Sequence, residues 1–130
     1  FIGTDCDNVP VVSGGGAMTT RDLARYGQLF VRRGMGINGN RVGSATFMDE
    51  TRSGRGTIMT DSKLDLRYSN QTFTNGQWLG HAGFAGQFLI AHPETEVSIA
   101  YFSVLESEDA QDDEIYSDIV GMSQEIIQLF

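Results

Sequence analysis

The fold is decided by residues 77–104, Gln77-Trp78-Leu79-Gly80-His81-Ala82-Gly83-Phe84-Ala85-Gly86-Gln87-Phe88-Leu89-Ile90-Ala91-His92-Pro93-Glu94-Thr95-Glu96-Val97-Ser98-Ile99-Ala100-Tyr101-Phe102-Ser103-Val104. Short apolar runs are separated here by glycines and by a His-Pro-Glu-Thr-Glu turn, which is how strands joined by tight connections read. Three antiparallel strands are expected. The first ends at His81 to Phe84 and faces a cleft, the second spans Gln87 to Ala91, and the third spans Val97 to Val104. The third is β-branched and aromatic with apolar residues at both parities, so both of its faces are expected to be covered.

On the N-terminal side, Asn75-Gly76 is the strongest two-residue hairpin signal a sequence offers, and it is flanked by a strand pattern from Leu64 to Thr74. Residues 52–62, with Gly54 and Gly56, read as loop. A short helix is expected from Ser44 through Phe47 and Met48 to Thr51. The clearest helix precedes it. Thr19 caps it with Asp22 three residues on. Leu23, Tyr26, Gly27, Phe30 and Val31 repeat at helical spacing, Arg32 and Arg33 fall in the last turn, and Gly34 ends it. Residues 1–18, with Pro10 and Gly14-Gly15-Gly16, read as loop. The closing helix is expected from Asp112 to Leu129 with Ile115, Ile119, Met122 and Ile126 as its buried stripe. The chain is therefore α+β, an antiparallel sheet with a C-terminal packing helix and a preceding helical segment.

Composition narrows the function. With 130 residues, 40% of them hydrophobic, the chain suits one packed unit. Its formal charge of −8 repels phosphate, which argues against nucleic acid and anionic membrane as partners. The acidic run from Glu106 to Glu114 reads as a solvated loop and an acidic first helical turn. No segment is apolar for the ~18 residues that a membrane span requires, and no basic-then-apolar opening marks a signal peptide. Phe1 in place of Met suggests a start inside a longer chain or after processing. Cys6 is the single cysteine, so neither an intrachain disulfide nor a cysteine-based zinc site is expected. Asp5 and Asp7 read as a solvated loop rather than a metal site. No cofactor is expected.

Two segments carry a resemblance. Ser13-Gly14-Gly15-Gly16-Ala17-Met18-Thr19-Thr20-Arg21-Asp22-Leu23-Ala24-Arg25-Tyr26-Gly27 resembles the glycine-rich entry and Asp-Leu-Ala-Arg helix of class C β-lactamases, related esterases and nylon-oligomer (6-aminohexanoate-dimer) hydrolases. Gly80-His81-Ala82-Gly83-Phe84-Ala85-Gly86-Gln87 resembles the third active-site box of these penicillin-recognising serine hydrolases, Lys-Thr-Gly or His-Thr-Gly. On that resemblance the chain is the C-terminal portion of the β-lactamase/transpeptidase-like fold. Residues 1–62 would belong to its helical region, and residues 63–130 would form the meander and closing helix.

The resemblance also implies the chemistry. The family acylates the serine of a Ser-x-x-Lys motif and holds the developing oxyanion on backbone N–H groups. This chain has one lysine, Lys63, preceded three residues earlier by Thr60, so that motif is absent. Tyr68-Ser69-Asn70 matches the family's Tyr-x-Asn box in letters but follows the glycine-rich segment, and reads as a chance match in a strand. Carried over residue by residue, His81 takes the place of the lysine, Ala82 that of the threonine, and Gly83 that of the glycine that admits the acyl group. The backbone N–H of Phe84 takes the second oxyanion donor's place. A histidine ordinarily titrates near ~6.5 and carries only part of a charge at neutral pH, and alanine has no hydroxyl. Both departures weaken carboxylate recognition and favour a simple ester or amide over a β-lactam. His92 reads as a turn residue.

Three readings stay open: a hydrolase part that lacks its own nucleophile, a non-catalytic module that binds a ligand or peptide, and an acidic interaction domain. Expected partners are a small ester or amide and the N-terminal part of the parent chain. Self-association is expected too, because the last strand and the closing helix would otherwise lack part of their cover.

Overall fold

The computed structural model describes residues 2–11, 16–54, 56–58, 66–83, 86–102 and 113–130, with 113–116 as backbone only. Its elements in chain order are α1 (Thr20–Val31), α2 (Ala45–Ser53), β1 (Thr57–Ile58), β2 (Arg67–Ser69), β3 (Thr72–Thr74), β4 (Leu79–Gly83), β5 (Gln87–His92), β6 (Val97–Tyr101) and α3 (Asp113–Ile127). The six strands form one antiparallel meander in sequence order, so the chain is α+β as expected. The boundary expected between residues 62 and 63 lies outside the described residues, as do the acidic run up to Asp112 and most of the glycine-rich entry.

Helix α1 begins where its cap predicts. Thr19 Oγ1 accepts the Asp22 N–H at 3.1 Å, and the Thr19 hydroxyl donates to Asp22 Oδ2 at 2.8 Å, which satisfies a donor the helix leaves orphaned. The hydrogen bond from Thr19, aided by Arg25, holds the Asp22 carboxyl below its ordinary pKa. The helix stops two residues earlier than the arginines suggest. Arg32 is the C-cap, and Arg33 sits beyond it with φ +52°, so neither lies in the last helical turn. Helix α2 is capped by Ser44 as expected and runs on to Ser53, where Gly54 closes it in the left-handed conformation.

The N-terminal half of the sheet differs from expectation. Leu64 to Thr74 is not one strand. Asn70 and Gln71 both take positive φ (47° and 63°), and they fold the stretch into the β2–β3 hairpin with Tyr68 opposite Phe73. Thr57–Ile58, expected as loop, pairs with β2. The Asn75-Gly76 turn is present as part of a four-residue connection between Thr74 and Leu79. Asn75 Oδ1 accepts the N–H groups of Gln77 and Trp78 there, at 3.0 and 3.2 Å.

The C-terminal hairpins follow the expected reading. β4 pairs with β5 over five positions and β5 with β6 over five, with the His92 to Glu96 turn between the latter two. Alternation along β5 splits the layers. Phe88 and Ile90 face a core cluster with Leu66, Trp78 and the α3 residues Ile119, Val120 and Ile127. Leu89 faces the other way, toward α1. There the helix comes so close that a Cβ on Gly27 would lie 2.1 Å from Ser98 Oγ and 2.8 Å from Leu89 Cδ1. Ser98 Oγ donates to the Ala24 carbonyl at 2.9 Å and stitches helix to strand.

The stripe expected on α3 is displaced by one position. Ile119 is buried, but Met122 and Ile126 are 52% and 42% exposed, and the buried line continues through Val120, Ser123 and Ile127. The Ile115 side chain lies outside the described residues. Two neighbouring lines of apolar residues run along this helix, and the sheet takes the one that meets Phe88 and Ile90.

Candidate functional site

His81 and Gly83 lie at the C-terminal end of β4 on the wall of an open groove of ≈ 650 Å³. The other wall comes from the start of α1, with Met18, Leu23 and Tyr26, and the groove is completed by Leu89 on β5 and Phe102 after β6. Among the described residues none that lines it is Lys, Arg, Asp or Glu. The volume is that of a small-molecule site, and the lining is apolar with a few polar groups, as such sites usually are. Tyr26, expected within the apolar face of its helix, is half exposed here and packs edge-on against Phe30 with ring centres 5.4 Å apart.

The meander places His81 among residues from the preceding hairpin. Its ring stacks on Phe73 with centres 4.9 Å apart, and Tyr68 stands edge-on to it. Nδ1 lies 2.7 Å from the carbonyl of Ala82, and Nε2 lies 3.4 Å from the Tyr68 hydroxyl. A carbonyl only accepts, so Nδ1 carries a proton and the lone pair of the neutral ring sits on Nε2. The same Tyr68 hydroxyl lies 3.3 Å from Gln71 Oε1. Tyr68, Gln71 and Phe73 are absent from the site read in the sequence. The one signal for them was the Tyr-x-Asn lettering at Tyr68, and its position after the glycine-rich segment argued against using it.

The neighbours of His81 divide. Ala82 packs its methyl against the core cluster, while its carbonyl serves the histidine. Gly83 borders the groove, and a Cβ built on it would meet Gln87 Cβ and Oε1 at 3.3 and 3.2 Å, so a side chain there would narrow the opening. Phe84 lies outside the described residues.

The remaining candidates take structural places. His92 Nδ1 accepts the Thr95 N–H at 3.3 Å and closes its turn, as expected. Asp5 Oδ1 accepts the N–H groups of Asp7 and Val9, each at 2.9 Å, which is loop geometry. Cys6 is exposed. Among the described residues no cluster of three or more His, Cys, Asp or Glu is placed to hold a metal. A smaller cavity of ≈ 310 Å³ between α1, α2 and Pro93 carries two arginines. Both are paired: Arg33 grips Asp49 with two bonds, at 2.9 and 2.5 Å, and Arg52 lies 3.6 Å from Glu94.

With this geometry in place, comparison with known proteins decides the family. The model of the beta-lactamase family matches residues 4–121. The chain belongs to the beta-lactamase family. This beta-lactamase-family chain is also similar to a Bacillus anthracis protein carrying the name 6-aminohexanoate-dimer hydrolase, with a TM-score of 0.67 and 24% sequence identity over 95% of the chain. At that identity the likeness shows the fold, which is a partial β-lactamase-like fold. The chain spans about a third (34%) of that protein's length. None of the curated proteins matches it.

Proposed function

We propose that this chain forms one wall of a serine hydrolase site that cleaves a small ester or amide through an acyl-enzyme, with the nucleophile on residues outside these 130. The observation that carries the reading is the groove beside His81 and Gly83 at the end of β4, in a chain whose family is one of serine hydrolases. In this reading His81 borders the reacting group, Gly83 leaves room for the acyl portion, and the backbone N–H of Phe84 supplies one oxyanion donor. Ala82 contributes through its carbonyl, which orients His81. Among the described residues the lining holds no lysine or arginine, which favours a neutral substrate over a carboxylate-bearing one.

The partner in this proposal is the N-terminal part of the parent protein. Two features of the described residues support it. β6 ends the sheet with its outer edge unpaired among the described residues, and Met122, Ile126, Leu129 and Phe130 expose apolar surface on and beyond α3. Unpaired edges and exposed apolar faces recruit other segments, of the same chain or of a second copy. The apolar groove lining also favours a second reading, a module that binds a ligand without turning it over.

A fluorophosphonate probe followed by mass spectrometry tests the proposal. The 130-residue chain alone should take up no label. A 1:1 mixture with the N-terminal part of its parent should sediment as a complex and become labelled on a serine of that part. Labelling on the isolated chain would overturn the reading, and an unlabelled complex would leave the binding module.

A further inference from the structure

We infer that Tyr68 is a positioning residue for His81: its hydroxyl caps Nε2 of an imidazole that the Ala82 carbonyl holds as the Nδ1–H tautomer, and withdraws to Gln71 when a substrate needs that nitrogen. The inference rests on the proposed hydrolase reading for its purpose and on the hairpin geometry for its content.

The argument begins with the proton count. The Ala82 carbonyl at 2.7 Å accepts the proton on Nδ1, so neutral His81 keeps one lone pair, on Nε2. Left to water, that lone pair would accept a hydrogen bond from whatever donor came by, and only the Ala82 bond would hold the ring. Two contacts prevent this. Phe73 stacks on the ring at 4.9 Å and limits its tilt. The Tyr68 hydroxyl lies 3.4 Å from Nε2, so the tyrosine proton is offered to the lone pair.

Tyr68 has a single proton and two acceptors within reach, His81 Nε2 at 3.4 Å and Gln71 Oε1 at 3.3 Å. Both distances lie at the long end of hydrogen bonding, so neither bond is strong and exchanging one for the other costs little. When a substrate or water donates to Nε2, the hydroxyl rotates to Gln71 and keeps an acceptor for its proton. The turn that makes this possible is the one at Asn70-Gln71, which returns β3 beside β2 and holds Gln71 three residues from the tyrosine. Nothing in the contacts of Tyr68 requires the hydroxyl for packing, since the ring itself rests on Phe73 at 5.2 Å.

The test is nitrogen NMR of the histidine side chains in the uniformly labelled chain, in alkaline buffer where imidazoles are neutral. The wild type should show a protonated, pyrrole-type Nδ1 and a pyridine-type Nε2 on His81, with Nε2 shielded by the hydrogen bond it accepts. In Tyr68→Phe the ring packing is retained, so a purely structural tyrosine would leave the spectrum unchanged. The expected result is a downfield shift confined to Nε2, with Nδ1 unmoved. A pyrrole-type Nε2 in the wild type overturns the inference even if the variant does not fold, and so does an unmoved Nε2 in a folded Tyr68→Phe. Neither spectrum depends on the fluorophosphonate result: that probe decides whether a hydrolase forms, and the nitrogen shifts decide what Tyr68 does to His81.

Discussion

Helices α1 and α3 rest on opposite faces of the same strands and hold on by different means. α3 does so by volume: Ile119, Val120 and Ile127 are buried in one cluster with Phe88, Ile90 and Trp78. α1 does so by proximity: its fully buried positions are Gly27 and Val31, and it approaches the sheet closely enough to exclude even a methyl group at Gly27. The first contact depends on apolar area removed from water, the second on shape and on one hydroxyl stitch from Ser98 to Ala24. The difference also separates structure from function. The face held by volume carries the core cluster, whereas the start of the closely approaching helix borders the groove in which His81 and Gly83 lie.

The largest effect expected from this comparison is at Ile119. Truncating a buried isoleucine removes its transfer energy and leaves a cavity, so Ile119→Ala should cost about 2–4 kcal/mol in urea unfolding. Met122→Ala, three residues along the same helix and half exposed, should stay within about 0.5 kcal/mol. A loss at Met122 comparable to that at Ile119 would mean that the outer line of α3 is covered in solution. The loss would then depend on protein concentration if the cover is a second copy.

Gly27→Ala probes the other face. The added methyl gains up to about 1 kcal/mol of helix propensity but meets Ser98 and Leu89, and overpacking of this kind costs about 1–3 kcal/mol. A net loss of about 1–2 kcal/mol is expected, together with a shift of α1 visible at Leu23 and Tyr26 in the groove. Adding Ser98→Gly, which removes both the Oγ and the Cβ that the methyl would meet, should return part of the loss. A neutral or stabilising Gly27→Ala would show that proximity does not hold this helix.

How much of this was legible in the sequence follows the same division. The capped start of α1, the β4–β5–β6 meander and the placing of His81 and Gly83 at the end of β4 were readable because each has a local cause: a capping threonine, a glycine, a proline turn. The Asn70-Gln71 turn was not, because glutamine is no turn residue and its left-handed conformation is imposed by the pairing of β2 with β3. With that turn missed, Tyr68 and Phe73 read as positions along one strand rather than as facing residues, and the surroundings of His81 stayed hidden. The α3 stripe was misread because two apolar lines fit helical periodicity, and only the sheet chooses between them.

The smallest effect expected concerns the joint between α1 and α2, where Arg33 grips Asp49. The Arg33 hydrogen bond, aided by the charges of Arg33 and Arg52, holds the Asp49 carboxyl below its ordinary value of 3.8. A carboxyl with a lowered pKa in the folded chain contributes stability that is fully present above that ordinary value and fades as the pH falls through the folded one. The raised Arg33 value acts only in strong alkali and leaves the acid side to Asp49. Both side chains are largely solvent-exposed, at 60% and 45%, so water and salt screen the pair and the gain stays small. Asp22 titrates in the same direction at the cap of α1, which would blur a global measurement. Amide exchange resolves the two. Lowering the pH from 5 to about 3 should speed exchange in α2, once corrected for the intrinsic rate, and Asp49→Asn should abolish that acceleration. The first turn of α1 should respond instead to Asp22→Asn. Equal acid sensitivity of α2 in the wild type and in Asp49→Asn would mean that the bridge does not fasten this joint, and that α2 is held by other contacts, among them those of Thr51, of Thr74 and of Arg52 with Glu94.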